Sequence, residues 1–172
     1  MKIIPIIALT ITTLILYSCL KKEPSFAVVE NFEIENYLGK WYEIARLDHS
    51  FERGMSNVTA EYELKSNGTI KVLNKGKKKN GKWSSAVGKA KFRSDANKGA
   101  LKVSFFGPFY GAYNIVALDK NYENALILGD GTDYCWILSR SKKMDQTVLN
   151  DYVAKAKKLG VDTNAFIFVK QD

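Results

Sequence analysis

"YLGKWYEIAR", residues 37–46, sets a glycine and a tryptophan at the first turn of what reads as a strand. By period two, Trp41, Glu43 and Ala45 share one face and Tyr42, Ile44 and Arg46 the other. A tryptophan at that point is a large apolar body with one N–H to satisfy. It covers something, and the runs that follow say what.

"VTAEYEL" (58–64) puts Val58, Ala60, Tyr62 and Leu64 on one face. "SNG" turns the chain into "TIKVLN" (69–74). "VGKAKFR" (87–93), "LKVSFF" (101–106), "AYNIVAL" (112–118), "ALIL" (125–128) and "YCWILSR" (134–140) complete a set of eight with the run at Trp41. Short alternating runs at roughly ten-residue spacing predict an all-β fold, a barrel or sandwich. Eight antiparallel strands form a barrel wide enough for its own side chains or one small ligand. The period then changes. "DQTVLNDYVAKAKKLG" (145–160) predicts a helix with Asp145 as N-cap, Gly160 as stop, and Val148, Leu149, Tyr152, Val153 and Ala156 as its apolar stripe. This helix is expected on the outside of the barrel, and "AFIFV" (165–169) offers a short last strand.

The beginning is of another kind. Met1 and Lys2 precede an apolar run that ends at Cys19, the length of a secretory leader and short for a spanning helix. "LYSC" (16–19) resembles a bacterial lipobox, which implies a signal peptide over 1–18 and a lipidated Cys19; 19–35 reads as the lipidated N-terminus and tether, with "LKKEPSF" (20–26) as its polar part. The alternatives are an uncleaved anchor and an ordinary secretory signal. With Cys19 acylated, Cys135 has no partner and the fold has no disulfide, which a core of this size tolerates. The net charge is +8, and losing the leader removes one of those charges, Lys2. No nucleic-acid motif accompanies it, so among specific partners the basic balance favours anionic lipid. The single histidine, His49, and the absence of paired cysteines predict no metal, and no cofactor motif appears. There is no nucleophile elbow and no phosphate loop.

Taken together, "LGKWYEIAR", "FFGPFYGAYNIVALD" (105–119) and "WILSR" (136–140) resemble the lipocalins over residues 36–170. Within that family the chain is similar to bacterial outer-membrane lipoprotein lipocalins, relatives of apolipoprotein D and the plant temperature-induced lipocalins. The resemblance implies an eight-stranded antiparallel up-and-down barrel over 36–172 with one C-terminal helix packed outside. Its motif residues fall on Gly39 and Trp41, on Asp119 and Tyr122 in the loop between strands six and seven, and on Arg140. Arg140 is then expected across Trp41 at the closed end, a cation–π contact. The literal "TDY" at 132–134 falls at the open end and is set aside. The resemblance further implies a lipid anchor on the periplasmic side of the outer membrane, with palmitate-type acylation of Cys19. It leaves a homodimer possible.

Alternation names the expected cavity residues: Tyr62, Leu64, Ala90, Phe92, Val103, Phe105, Tyr113, Ile115, Trp136 and Leu138, with Val58, Ala60, Ile70 and Val72 on the same interior surface. Ala45, Ala60, Gly88 and Ala90 leave room, and Glu43 on that face needs a partner or a proton. The open end is expected to carry Lys77, Lys78 and Lys79, beside Lys75 and Lys82, with Phe51, Phe106 and Phe109 near the same rim. A basic rim over an apolar cup suits a fatty acid or lysophospholipid, bound for storage or transport. The chain is read as a non-enzymatic carrier. An enzyme using cavity tyrosine or glutamate, and an envelope scaffold with a filled barrel, are the alternatives.

Overall fold

The computed structural model describes residues 26–172. Eight strands run up and down: β1 Gly39–Arg46, β2 Ser56–Leu64, β3 Ile70–Lys77, β4 Trp83–Phe92, β5 Ala100–Ser104, β6 Gly111–Leu118, β7 Asn124–Leu128 and β8 Cys135–Ser139. Each pairs antiparallel with the next, β8 pairs with β1, and the β1–β2 pairing closes the barrel. A two-residue β9, Ile167–Phe168, adds to the outer part of β1. A short α1, Ile34–Tyr37, precedes β1, and α2, Gln146–Lys158, follows β8.

Two apolar clusters explain the sequence pattern. One fills the lower barrel around Trp41, Tyr37, Ile70, Ile115 and Ile127. The other lies outside, where Leu126, Leu128, Cys135 and Ile137 meet Tyr152 and Ala156 of α2. "ALIL" therefore does not alternate in polarity, because Ala125 and Ile127 face the barrel while Leu126 and Leu128 face the helix. Asp145 caps α2: its Oδ1 accepts from the Thr147 and Val148 amides at 2.8 and 3.2 Å. Lys155, Lys157 and Lys158 occupy the last turn, where positive charge suits the helix dipole.

Two sequence expectations are corrected here. The tether was read as reaching residue 35, but the chain is already docked before that. The Val29 amide donates to Ile115 O, Gly99 N–H donates to Val29 O, and Phe32 is buried among Tyr37, Phe92 and Tyr122. Gly99 permits this strap, since a Cβ there would lie 2.7 Å from Val29 Cγ2 and 2.9 Å from Ile115 Cβ. The second correction is Ala45, which faces α2 and not the interior. A bulge in β1 between Glu43 and Ala45 breaks strict alternation. The same bulge turns Arg46 inward.

Candidate ligand-binding site

The closed end is built from the three motif pieces. Gly39 holds φ +88°, and Trp41 follows fully buried, its indole N–H donating to Tyr37 O at 2.8 Å. The Arg140 guanidinium carbon lies 4.0 Å from the centre of the Trp41 ring. From there Arg140 donates to Lys40 O and Asn36 O, each at 2.9 Å, and to Tyr122 O at 3.2 Å. Asp119 shapes the turn that presents that carbonyl, accepting from the Asn121 and Glu123 amides and the Asn124 side chain. Tyr122 holds φ +57°, and its hydroxyl accepts the Glu33 amide at 2.9 Å. Trp41 thus lies beneath the floor of a cup, under Tyr37, and Arg140 bolts α1, the first strand and the β6–β7 turn together below it.

Above that floor is a cavity of about 860 Å³, within the range of small-molecule sites. Tyr62, Ala90, Val103, Phe105, Tyr113, Trp136 and Leu138 line it, with Val58, Ala60 and Val72. Leu64, Phe92 and Ile115 do not. Leu64 ends β2 below the floor and is 38% exposed, Phe92 packs on Phe32 of the strap, and Ile115 is sealed in the lower core. For Phe92 and Ile115 parity gave the face but not the height, because the lower barrel is filled. Lys77, Lys78 and Lys79 belong to the open-end β3–β4 hairpin without lining the cavity, whereas Lys75 does line it. Phe51, Phe106 and Phe109 line the mouth and are 53%, 80% and 79% exposed, so the rim is apolar as well as basic. Tyr134, from the literal triplet, also lines the mouth.

Polar groups occur at two levels. At the floor, the Tyr113 hydroxyl lies 2.7 Å from both the Tyr37 and Tyr62 hydroxyls. Burial raises all three phenols, so they stay protonated and satisfy one another. Higher up, Glu43 meets its partner. Arg46, fully buried, donates Nη1 to Glu43 Oε1 at 2.5 Å and Nη2 to the backbone oxygen of Glu52 at 2.8 Å. Burial first, then the charge of Glu52, pushes the Glu43 carboxyl up to about 8, against the pull of Arg46. Burial also raises Glu52. His49 is buried in the same loop, stacked on Tyr134 and Phe51, and held below its ordinary value by burial and by Arg46. Tyr37, Arg46, Glu52 and Asn74 escaped the sequence reading. Tyr37 and Glu52 sit outside the regular runs, the bulge hid Arg46, and Asn74 shares the parity of Val72 but is polar. Among the described residues no three His, Cys, Asp or Glu side chains gather as a metal site.

A family model described as a lipocalin-like domain matches residues 32–171. An outer membrane lipoprotein Blc of Vibrio cholerae is 48% identical over 167 residues, covering 96% of this chain and 98% of its own. The protein of that name from Escherichia coli is 44% identical over 174 residues, covering 99% and 98%. Insecticyanin from the tobacco hornworm Manduca sexta shares the fold with a TM-score of 0.70 at 22% identity, covering 86% of this chain and 85% of its own. The bacterial matches extend over nearly the whole chain, and the chain is with them an outer-membrane lipoprotein. A barrel closed by tryptophan under arginine, with its one helix outside and this breadth of match, makes the chain a member of the lipocalins.

Proposed function

We propose that this lipocalin binds single-chain lipids, fatty acids or lysophospholipids, and stores or carries them in the cell envelope without transforming them. The observation that carries this reading is the cup: about 860 Å³, open at one end, walled by aliphatic and aromatic side chains and floored by Tyr37, which rests on Trp41. The acyl chain enters between the rim aromatics and runs past Phe105 and Trp136 toward Tyr62 and Tyr113. Burying a methylene is worth ~0.8 kcal/mol, so a long chain gains on the order of 10 kcal/mol before ordering costs. Micromolar or somewhat tighter binding follows. The tyrosine hydroxyls are bonded to one another, and Glu43 is bonded to Arg46. Cys19 as the acylated residue and 1–18 as the leader lie outside the described residues and belong to the same proposal; the mass of the mature N-terminus checks them.

The test is a titration followed by tryptophan fluorescence, using a lysophospholipid and its matched diacyl lipid below their aggregation concentrations. The lysolipid binds more tightly, and Trp136→Ala weakens it about tenfold through lost wall area. Equal affinity for the two lipids, or an unaffected Trp136→Ala, overturns this placement.

A further inference from the structure

The cavity wall carries a buried carboxyl with a single hydrogen bond. Glu52, in the loop between β1 and β2, lines the cavity and is 6% exposed. Its Oε2 accepts a 3.1 Å hydrogen bond from the Trp136 indole N–H, and among the described residues its carboxylate has no other hydrogen-bond partner. The buried guanidinium of Arg46 makes its hydrogen bonds elsewhere. Arg46 gives Nη1 to Glu43 and Nη2 to the backbone oxygens of Glu52 and Met55, not to the Glu52 carboxylate. Both carboxyls line the cavity, and the one whose oxygens Arg46 does not contact, Glu52, is held there by the indole N–H alone. A carboxylate with one hydrogen bond in a water-poor wall is costly unless a proton or a directly contacting cation accompanies it.

The surroundings favour one kind of cation. Phe51, Tyr134 and Trp136 line the cavity with Glu52, and the His49 ring holds them as a group, 5.4, 4.5 and 4.9 Å from their centres. Aromatic faces beside a carboxylate attract an ammonium or trimethylammonium through both charge and the ring quadrupole. The same wall repels a free carboxylate. The loop that carries Glu52 is also overlaid by a positive charge. The Lys79 side chain crosses Gly54, where a Cβ would lie 2.7 Å from Lys79 Cε. A negative group inside the loop and a positive one across it match a zwitterion whose amine points into the cup and whose phosphate stays at the rim.

We propose that Glu52, with the aromatic faces of Trp136, Tyr134 and Phe51, is a subsite for the ammonium of a single-chain amine-headed lipid. This rests on the carrier reading above and narrows its ligand from any single-chain lipid to one with a cationic group. Fatty acids then occupy the cup without using the subsite.

The test is competition, read by native mass spectrometry of the full-length protein released from detergent. Lysophosphatidylethanolamine and lysophosphatidylglycerol of identical acyl chain are added in equal amounts. The wild-type protein carries the ethanolamine lipid in roughly tenfold excess, and Glu52→Gln brings the ratio near one while total occupancy persists. A long-chain alkyltrimethylammonium, which has the amine and no phosphate, displaces the glycerol lipid from the wild-type protein and loses that ability in Glu52→Gln. A ratio near one in the wild-type protein, or one unchanged in Glu52→Gln, overturns the subsite and leaves the carrier reading standing. Failure of both lipids to bind overturns the carrier reading, and the subsite with it. Should Glu52→Gln fold poorly, the wild-type ratio alone decides.

Discussion

At Arg140 one guanidinium touches the tryptophan ring of β1 and the backbone of three separate segments. Removing it opens all four contacts together. Arg140→Ala is expected to cost on the order of 1–3 kcal/mol in chemical unfolding, from stacking and hydrogen bonds combined. Lysine restores only part, because it lacks the planar fork. Thr132→Ala, in the triplet at the wrong end, leaves the midpoint in place. A second residue-scale expectation concerns Glu43. Between the ordinary carboxyl value and about 8, the folded protein holds a proton that the unfolded chain has released. Stability therefore falls as pH rises through that window and levels off above it. Glu43→Gln flattens this slope in unfolding midpoints measured across the same range, and an undiminished slope in the variant assigns it to another group. The motif residues were legible in the sequence because each does a job few side chains can do. The Glu43–Arg46 pair was half legible: parity showed a buried acid but not its cation.

Among the elements, α2 shows how much local signals can carry. Its cap, its stop and its apolar stripe all stand in the sequence, and the helix runs one residue inside the first and ends short of the second. Asp145→Ala removes the acceptor of two orphan amides and is expected to lower the unfolding free energy by about 0.5–2 kcal/mol. Asn at the same position keeps most of it. The strands were legible by period two wherever the period held. It failed at the β1 bulge, where one extra residue reversed Ala45 and Arg46. Nothing local in "EIAR" marks the extra residue; the pairing with β8 on one side and β9 on the other requires it. The strap at residues 26–33 was illegible for a related reason. It has no periodicity of its own and is held by Ile115, Gly99 and Asn97, all far along the chain.

For the whole molecule, alternation identified the face of each strand but not the depth of the cup. Depth is set by what fills the base, and that includes Phe32 of the strap and Ile34 of α1, which raise the floor above Phe92 and Ile115. The ends of the barrel also differ in kind. The closed end is consolidated by motif residues and by the N-terminal segment, while the open end is a ring of loops bearing lysines and exposed aromatics. Stability and ligand capture are thereby assigned to opposite poles, so substitutions at the rim can change binding with little effect on unfolding.

The buried thiol of Cys135 gives the barrel a built-in timer. It lies at the first residue of β8, fully covered by the outer cluster under α2, and burial pushes it up to about 12. A maleimide therefore reacts with molecules whose helix has lifted or whose β7–β8 seam has parted, and its rate of labelling counts those openings. Labelling of the native protein is expected to be slow, to accelerate in Asp145→Ala, and to reach the rate of a free thiol in denaturant. Rapid labelling of the native protein would contradict the burial. In the oxidising space beyond the inner membrane, the same geometry sets a deadline. A newly exported chain shows this thiol to passing disulfides only until β8 zips onto β7, so the speed of barrel closure decides how many molecules escape a mixed disulfide.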